Sequence, residues 1–259
     1  ISLYKIFNTV TQKGFASIQA AIDDPSTSDG DVIEIRSGTY RENVVINKNL
    51  TIRALTGGNV TLQALNSSNS IITINPGLTV TIYNITFKNG DTSNGGAIYN
   101  RGNLTVFSST FTNNTATNGG AIYNYGGNAS INFNRIVGNS ANGIYNVNNG
   151  TINATNNWWG TNTPIYSTSS LPYADILNQN GTVNYNPWLV LNVNTNPVNT
   201  IGNSTVTADL THNSNNEDTS SGGHIPDNIP VNFTTNLGTI TSTAYTRNGK
   251  ATLTFNPGT

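Results

Sequence analysis

Apolar and polar residues alternate in short runs along the first two thirds of this chain, and the runs repeat. Leu50-Thr-Ile52, Val60-Thr-Leu62, Val80-Thr-Ile82, Leu104-Thr-Val106 and Gly150-Thr-Ile152 share one pattern, with Ala129-Ser-Ile131 as its serine variant. Phe87, Phe111 and Ile136 recur about five residues after the triplets that precede them. In a strand, residues i and i+2 share a face, so Val80 and Ile82 point one way and Thr81 the other. The larger repeat is plain to the eye. Residues 95–118 read GGAIYNRGNLTVFSSTFTNNTATN, residues 119–142 read GGAIYNYGGNASINFNRIVGNSAN, and a shortened copy fills 143–164. A period of about 24 residues made of short strands and Asn/Gly turns predicts a β-solenoid, in which coils stack about 4.8 Å apart.

The flanks follow other rhythms. Residues 1–10 alternate as a strand, and Phe15, Ile18, Ala21 and Ile22 fall at helical spacing before Pro25. A short helix there would cap the open end of the first coil, which residues 29–47 form by alternation. The repeat fails after Pro164, and residues 165–187 read as irregular. A domain boundary is expected near Pro187, with Trp188 as a plug at the junction. The strands expected beyond it are longer (189–194, 204–210, 229–235, 238–243 and 251–255) and separated by Asn/Gly/Pro turns, the pattern of a β-sandwich. The expected domains are therefore 1–187 and 188–259, both all-β.

Composition sharpens this picture. Charged residues make up 9% of the chain, against about 25% in ordinary soluble domains. The 46 Asn and 59 Ser plus Thr supply polarity instead. Asn recurs at Asn100, Asn124 and Asn146 after the Ile-Tyr pair, and at Asn103, Asn128 and Asn149 before the triplet. Solenoid corners suit Asn, which tolerates left-handed backbone angles and pairs with its equivalent one coil away. A net charge of −1 leaves no basic stripe for phosphates, so nucleic-acid binding is not expected. No run approaches the roughly 18 apolar residues of a membrane span. Cysteine and methionine are absent, which excludes thiol catalysis and disulfides. A chain that starts at Ile1 is expected to have lost a leader or to be an excised fragment.

The β-helix part resembles the pectate-lyase-like, right-handed parallel β-helices of large surface proteins. The GGAIYN repeat and NNWWGTNTP (156–164) are similar to adhesin-like proteins of methanogenic archaea. STVTADLTHN (204–213), IPVNFTTNLGTIT (229–241) and NGKATLTF (248–255) resemble the bacterial Ig-like module of invasin and intimin. These resemblances imply a cell-surface, extracellular protein with a structural or adhesive role, either an adhesin or a filament subunit. In such Ig-like modules about two more strands follow the segment like 251–255. The module is therefore expected to be incomplete: truncated, partly disordered, or completed by a strand from another chain. End-to-end packing onto a neighbour's residues 1–10 is a further possibility, and a glycan or cell-surface ligand is the other candidate partner.

Many parallel β-helices act on polysaccharides, so a carbohydrate-active role is the competing expectation. Glycoside hydrolysis normally needs two carboxyl groups about 5–9 Å apart. Between Asn43 and Pro164 there is one acid, Asp91. No enzymatic activity and no cofactor are expected. Asp23, Asp24, Asp29 and Asp31 could supply oxygen ligands to Ca²⁺, but their spacing fits no known loop. His212, Glu217, Asp218, His224 and Asp227 share one Ser/Asn/Gly-rich stretch without zinc-site spacing, which reads as a mobile surface loop. Tyr99, Tyr123 and Tyr145 sit at equivalent positions of successive coils, opposite in facing to Ile98, Ile122 and Ile144. They are expected to point outward as an aromatic ladder or a glycan-binding face. Trp158 and Trp159 are expected to close the last coil and to be at least half buried. Twelve Asn-x-Ser/Thr sequons occur, including the glycosylation candidates Asn49, Asn84, Asn103, Asn128, Asn203 and Asn232. Chance alone predicts about ten from this composition, so the count by itself carries no signal.

Overall fold

The computed structural model describes residues 4–169, 171, 173–197, 202–236 and 238–257. The coils lay short strands into three sheets whose solenoid strands run parallel, sheet II ending before the other two. Sheet I contains, in order, Val32–Ile35, Leu50–Ala54, Thr79–Tyr83, Asn103–Phe107, Asn128–Asn132, Gly150–Asn153 and Gly181–Asn184. Sheet II contains Gly38–Arg41, Val60–Gln63, Thr86–Lys88, Thr110–Thr112 and Arg135–Ile136. Sheet III runs from Val44–Ile46 through Ile72–Ile74, Ile98–Asn100, Ile122–Tyr125 and Ile144–Val147 to Ile176–Asn178, with Tyr166–Ser167 on its edge. The five strands of sheet II mark about five turns of solenoid.

Registers follow the sequence repeat except at the last triplet, where Ile152 stands beside Ala129 rather than Ile131, two residues out of the expected alignment. Val80, Leu104, Ala129 and Ile152 lie side by side, as do Ile52, Ile82, Val106 and Ile131. Alternation sends this set inward, where it meets Leu62, Phe87, Phe111 and Ile136 from sheet II and Ile72, Ile98, Ile122 and Ile144 from sheet III in one buried core. Each such side chain, fully removed from water, contributes roughly 1.5–3 kcal/mol. The Phe87 and Phe111 rings stack with centroids 4.9 Å apart, so the coil spacing also sets the ring spacing.

Three further expectations shift. Val60-Thr-Leu62 lies on sheet II, where Thr61 and Leu62 pair with Thr86 and Phe87 rather than with the other triplets. Every face of a solenoid demands the same inward-outward alternation, so the triplet alone does not say which face it occupies. Phe15 belongs to the strand Lys13–Phe15, which pairs antiparallel with Ile6–Asn8. Residues 1–3 of the expected first strand lie outside the described residues. The segment 165–187 is not wholly irregular, since Ile176–Asn178 and Gly181–Asn184 carry sheets III and I one strand further.

The helix is shorter than its spacing predicted, Ile18–Asp23. Ser17 caps it by accepting from the Ala20 N–H at 3.0 Å, and the Glu42 carboxylate takes the N–H groups of Ile18 and Gln19 at 3.0 Å each. These bonds satisfy donors that a helix start leaves open. Ile18, Ala21 and Ile22 are fully buried against the first strands.

After the solenoid, Leu189–Asn196, Ser204–Asn213, Lys250–Asn256 and Thr239–Ile240 form a four-stranded antiparallel sheet in that order. Pro230–Asn232 pairs with Thr243–Tyr245, a strand the sequence pattern did not single out. Trp188 stacks on Tyr185 at 5.9 Å, and Tyr185 on Tyr166 at 5.0 Å, at the end of the solenoid core.

Candidate functional site

The walls of the rod are organised as ladders. On sheet III, Tyr99, Tyr123 and Tyr145 are in register, and Leu177 follows them. Ile98, Ile122 and Ile144 are fully buried in the main core, and the tyrosines lie on the opposite face. That face is not an open aromatic strip. Tyr123 and Tyr145 are each only 8% exposed, with centroids 5.3 Å apart. Tyr99 meets Tyr123 edge-on at 5.3 Å and carries the Arg101 guanidinium over its ring at 5.5 Å. The Tyr145 hydroxyl donates to Gln179 Oε1. Rings that cover one another leave little face for a sugar. Tyr125, 42% exposed, is the open aromatic of this wall.

Burial, followed by the neighbouring Tyr99, Tyr145 and Tyr125, pushes the Tyr123 hydroxyl up to about 12. An unfolded Tyr titrates near 10. The stability held by neutral Tyr123 is thus complete below pH 10 and is lost as pH rises through 12. Melting temperature is expected to fall less steeply between pH 10 and 12 in Tyr123→Phe than in the parent chain. Parallel curves would place the buried hydroxyl elsewhere.

Next to the tyrosines runs a buried amide ladder. Asn100 Nδ2 donates to Asn124 Oδ1 at 2.6 Å, Asn124 to Asn146 at 2.8 Å, and Asn146 to Asn178 at 2.9 Å. Each Nδ2 also reaches the carbonyl of the glycine at or just before the start of the next sheet I strand: Gly102, Gly127, Gly150 or Gly181. Asn100, Asn124 and Asn146 are fully buried. The dual role expected of the corner Asn is divided between residues. This ladder supplies the pairing, while left-handed backbone falls at Asn84, Asn89, Asn113 and Asn156, with φ near 57°. Asn103 and Asn128 pair at 3.2 Å on the exposed surface, and Asn149 is left-handed at φ 60°.

The acidic residues do not converge. Asp31 is buried and accepts from Asn8 Nδ2 at 2.8 Å and the Ser28 N–H at 3.0 Å. Asp29 holds both the backbone and the side-chain amide of Asn49 at 2.9 Å. Asp23 accepts from Gln19 Nε2. Asp24 is bonded by Ser26 through hydroxyl and N–H, and then by Lys13, which lowers its carboxyl to about 2. Among the described residues no group of three His, Asp or Glu side chains gathers around a metal-sized space. Asp91 stands at the exposed start of Asp91–Asn94.

The stretch 213–229 is docked, contrary to its reading as a mobile loop. Ile225 is 1% exposed, and the His224 carbonyl accepts from Ser108 Oγ at 3.0 Å across the solenoid wall. Glu217 accepts from Asn213 Nδ2 at 2.8 Å, Asp227 from the Asn248 N–H at 2.7 Å, and His224 Nδ1 lies 3.7 Å from Asp227. His212 forms an isolated bridge with Asp218. Composition misled because docking is decided by the surface the loop meets.

That surface is Phe133. Its φ is 58°, a region that costs a bulky residue roughly 1–3 kcal/mol. The equivalent positions are Asn84, Ser108 and Asn156, also left-handed. Phe133 packs with Trp158, Leu189, Leu191, Leu210 and Ile225, and an added Cβ on Gly223 would sit 2.8 Å from its ring. Trp158 thus faces the C-terminal sheet while Trp159, 3% exposed, fills the solenoid core. Phe133→Ala is expected to cost about 2 kcal/mol. Hydrogen exchange at Thr219, Gly222 and Gly223 should accelerate while Ile98 and Ile122 stay protected. Unchanged exchange at all five would mean that Phe133 does not hold the loop.

A second aromatic column escaped notice in the sequence. One residue beyond the triplets, Arg53, Tyr83, Phe107 and Asn132 are in register on the outer side of sheet I. Glu34 pairs with Arg53 at 3.2 Å, Arg53 donates to the Tyr83 hydroxyl at 2.6 Å, and Tyr83 stacks on Phe107 at 4.9 Å. Aligning the triplets one residue further would have revealed it. Phe107 then borders a cleft of about 460 Å³ between sheet I and residues 222–224.

Of the six glycosylation candidates, Asn103, Asn128, Asn203 and Asn232 are exposed. Asn49 is half-buried, with Nδ2 bound to Asp29 and Oδ1 to the Thr79 N–H at 2.7 Å. Asn84 is half-buried at a left-handed corner.

No protein-family profile and no solved structure matches the chain. It is similar to a cell surface glycoprotein of Methanothermus fervidus, 44% identical over 70 residues. The matched stretch covers 27% of this chain and 12% of that glycoprotein. No helix among the described residues is long and apolar enough to cross a membrane.

Proposed function

We propose that this chain is part of a non-enzymatic cell-surface protein with a structural and adhesive role. The observation that carries the reading is the chemistry of the rod wall. From Asn43 to Pro164 it holds one carboxylate, Asp91, and the buried Asn100, Asn124 and Asn146 bond amide to amide along the axis. Paired-carboxylate hydrolysis has no partner for Asp91 there. A stacked rod with few charged side chains suits a spacer or contact surface, because few charges need desolvation when it meets another surface. Similarity to a cell surface glycoprotein supports the location.

Within this reading the solenoid is right-handed, the usual sense of parallel crossovers, and of the pectate-lyase-like kind. The helix Ile18–Asp23 caps its first coil. A boundary falls at 187/188, and 188–259 is an Ig-like module, consistent with its antiparallel sheet of long strands. Among the six glycosylation candidates, Asn103, Asn128, Asn203 and Asn232 are the exposed ones and the sites proposed to carry glycans. Edge strands of the module offer a route to self-association by strand addition.

Antibodies against this chain should label intact, unpermeabilised cells of its source, and labelling only after lysis would overturn the surface role. Purified protein with polygalacturonate and Ca²⁺ should produce no unsaturated products, whose appearance at 235 nm would restore the enzyme reading. Electron microscopy of the purified protein separates a filament subunit, which polymerises, from an adhesin, which stays single.

A further inference from the structure

We propose that the cleft between sheet I and the docked 222–224 segment binds an uncharged oligosaccharide, with Phe107 as the stacking platform. This inference goes beyond the surface role and does not rest on it. The cleft measures about 460 Å³, within the roughly 300–1,000 Å³ typical of ligand sites.

Three features select the ligand. First, the aromatic column ends here. Tyr83 stacks on Phe107, but the next position in register is Asn132, whose Nδ2 turns to the carbonyl and hydroxyl of Thr155 at 2.9 and 3.0 Å. Phe107 is consequently 37% exposed on the cleft wall, with Phe133 also lining the cleft. An apolar ring held rigid by its neighbour at 4.9 Å offers a flat contact at little conformational cost.

Second, polar groups beside the rings remain unspent. Asn153 accepts the Thr155 N–H and hydroxyl on Oδ1, at 3.3 and 3.0 Å, which leaves Nδ2 as a donor. The Thr105 hydroxyl stands on the exposed side of its strand, between two inward-facing residues. Third, the described lining residues include no Asp, Glu, Lys or Arg. Flat apolar faces with neutral donors and acceptors match a sugar ring, which has an apolar C–H face and a rim of hydroxyls. A polyuronate or phosphorylated ligand would bring charge that meets no Lys or Arg here, and the one titratable lining residue, His224, has its Nδ1 2.7 Å from the Ile225 carbonyl and 3.7 Å from Asp227.

The test uses the full chain, isotope-labelled for NMR, titrated with cellohexaose, mannohexaose and chitohexaose. Hexagalacturonate and an uncharged Gly-Ser-Tyr decapeptide serve as comparison probes. At least one neutral hexasaccharide should bind with Kd below about 1 mM, shifting the amides of Phe107, Asn153 and Gly223. Phe107→Ala and Asn153→Trp should each weaken binding at least about tenfold, and Tyr125→Ala on the other wall should leave it unchanged. Asn153 is exposed, so Asn153→Trp decides the matter if Phe107→Ala fails to fold. The proposal is overturned if no neutral sugar binds, if the shifts map to the Tyr125 wall, if both cleft variants bind as the parent does, or if only hexagalacturonate or the peptide binds. Cell labelling is an independent readout, so failure here would not disturb the surface assignment.

Discussion

Asn124→Ala is expected to destabilise the solenoid by about 3–5 kcal/mol, among the largest effects a polar residue of this chain can have. The side chain is fully buried and makes three hydrogen bonds. It donates to Gly127 O at 2.7 Å and Asn146 Oδ1 at 2.8 Å, and accepts from Asn100 Nδ2 at 2.6 Å. Truncation strands the Asn146 Oδ1, removes one of the two donors to Gly127 O and one of the two acceptors of Asn100 Nδ2, and leaves a small void; each stranded buried group costs about 1–3 kcal/mol. The melting temperature should drop by on the order of 10 °C. Asn128→Ala is the comparison. It breaks the same amide-to-amide contact, 3.2 Å from Asn103, where water can replace it, so the cost should stay within about 0.5 kcal/mol. Equal losses in the two variants would show that the interior ladder does not hold the coils.

Asn124→Asp tests the donor requirement directly. The new carboxylate could still accept from Asn100, but its second oxygen would face two acceptors. Burial and this repulsion raise the folded pKa of the introduced acid. Its stability contribution is then complete below the unfolded value of about 3.9 and is lost as pH rises through the folded one. The variant should gain stability as pH falls from 7 to 4, relative to the parent. A flat difference would mean that the amide donors are dispensable.

Gly120→Ala should be worse still. Gly120 lies where adjacent coils approach closely: an added Cβ would overlap the Ser140 carbonyl oxygen and stand 2.9 Å from that of Asn114. Both obstacles are backbone, so no side chain can swing away. The coils must part or the local hydrogen bonds must break, a loss of about 4 kcal/mol or more, read as a fall in the urea midpoint. Gly77→Ala separates sterics from conformation. At φ 79° with open space around it, it meets only the left-handed penalty of about 1 kcal/mol. Comparable midpoints would refute close coil packing at Gly120.

The legible part of the site was whatever the repeat spelled out coil by coil. The Tyr99, Tyr123 and Tyr145 alignment, and their facing opposite to the Ile set, follow from a 24-residue spacing and strand alternation. Their mutual burial does not, because it depends on ring tilt and on Gln179 from a later coil. The acids of 23–31 and of 212–227 look like clusters in one dimension. In three, each carboxylate faces a different amide or hydroxyl.

The sequence by itself determined the coil, its period and which residues turn inward, because each coil repeats the same local alternation and stacks on its neighbour in register. Tertiary structure decided which face each strand joins, since all three sheets impose the same pattern and only the accumulated turning of the corners distinguishes them. It also decided that Asn100, Asn124 and Asn146 are interior and that Phe107 borders a cleft. The docking of 213–229 was its decision as well: the contact joins Ser108 to His224, a separation over which no local pattern carries information, and it forms because strained Phe133 offers an apolar surface that the loop can bury.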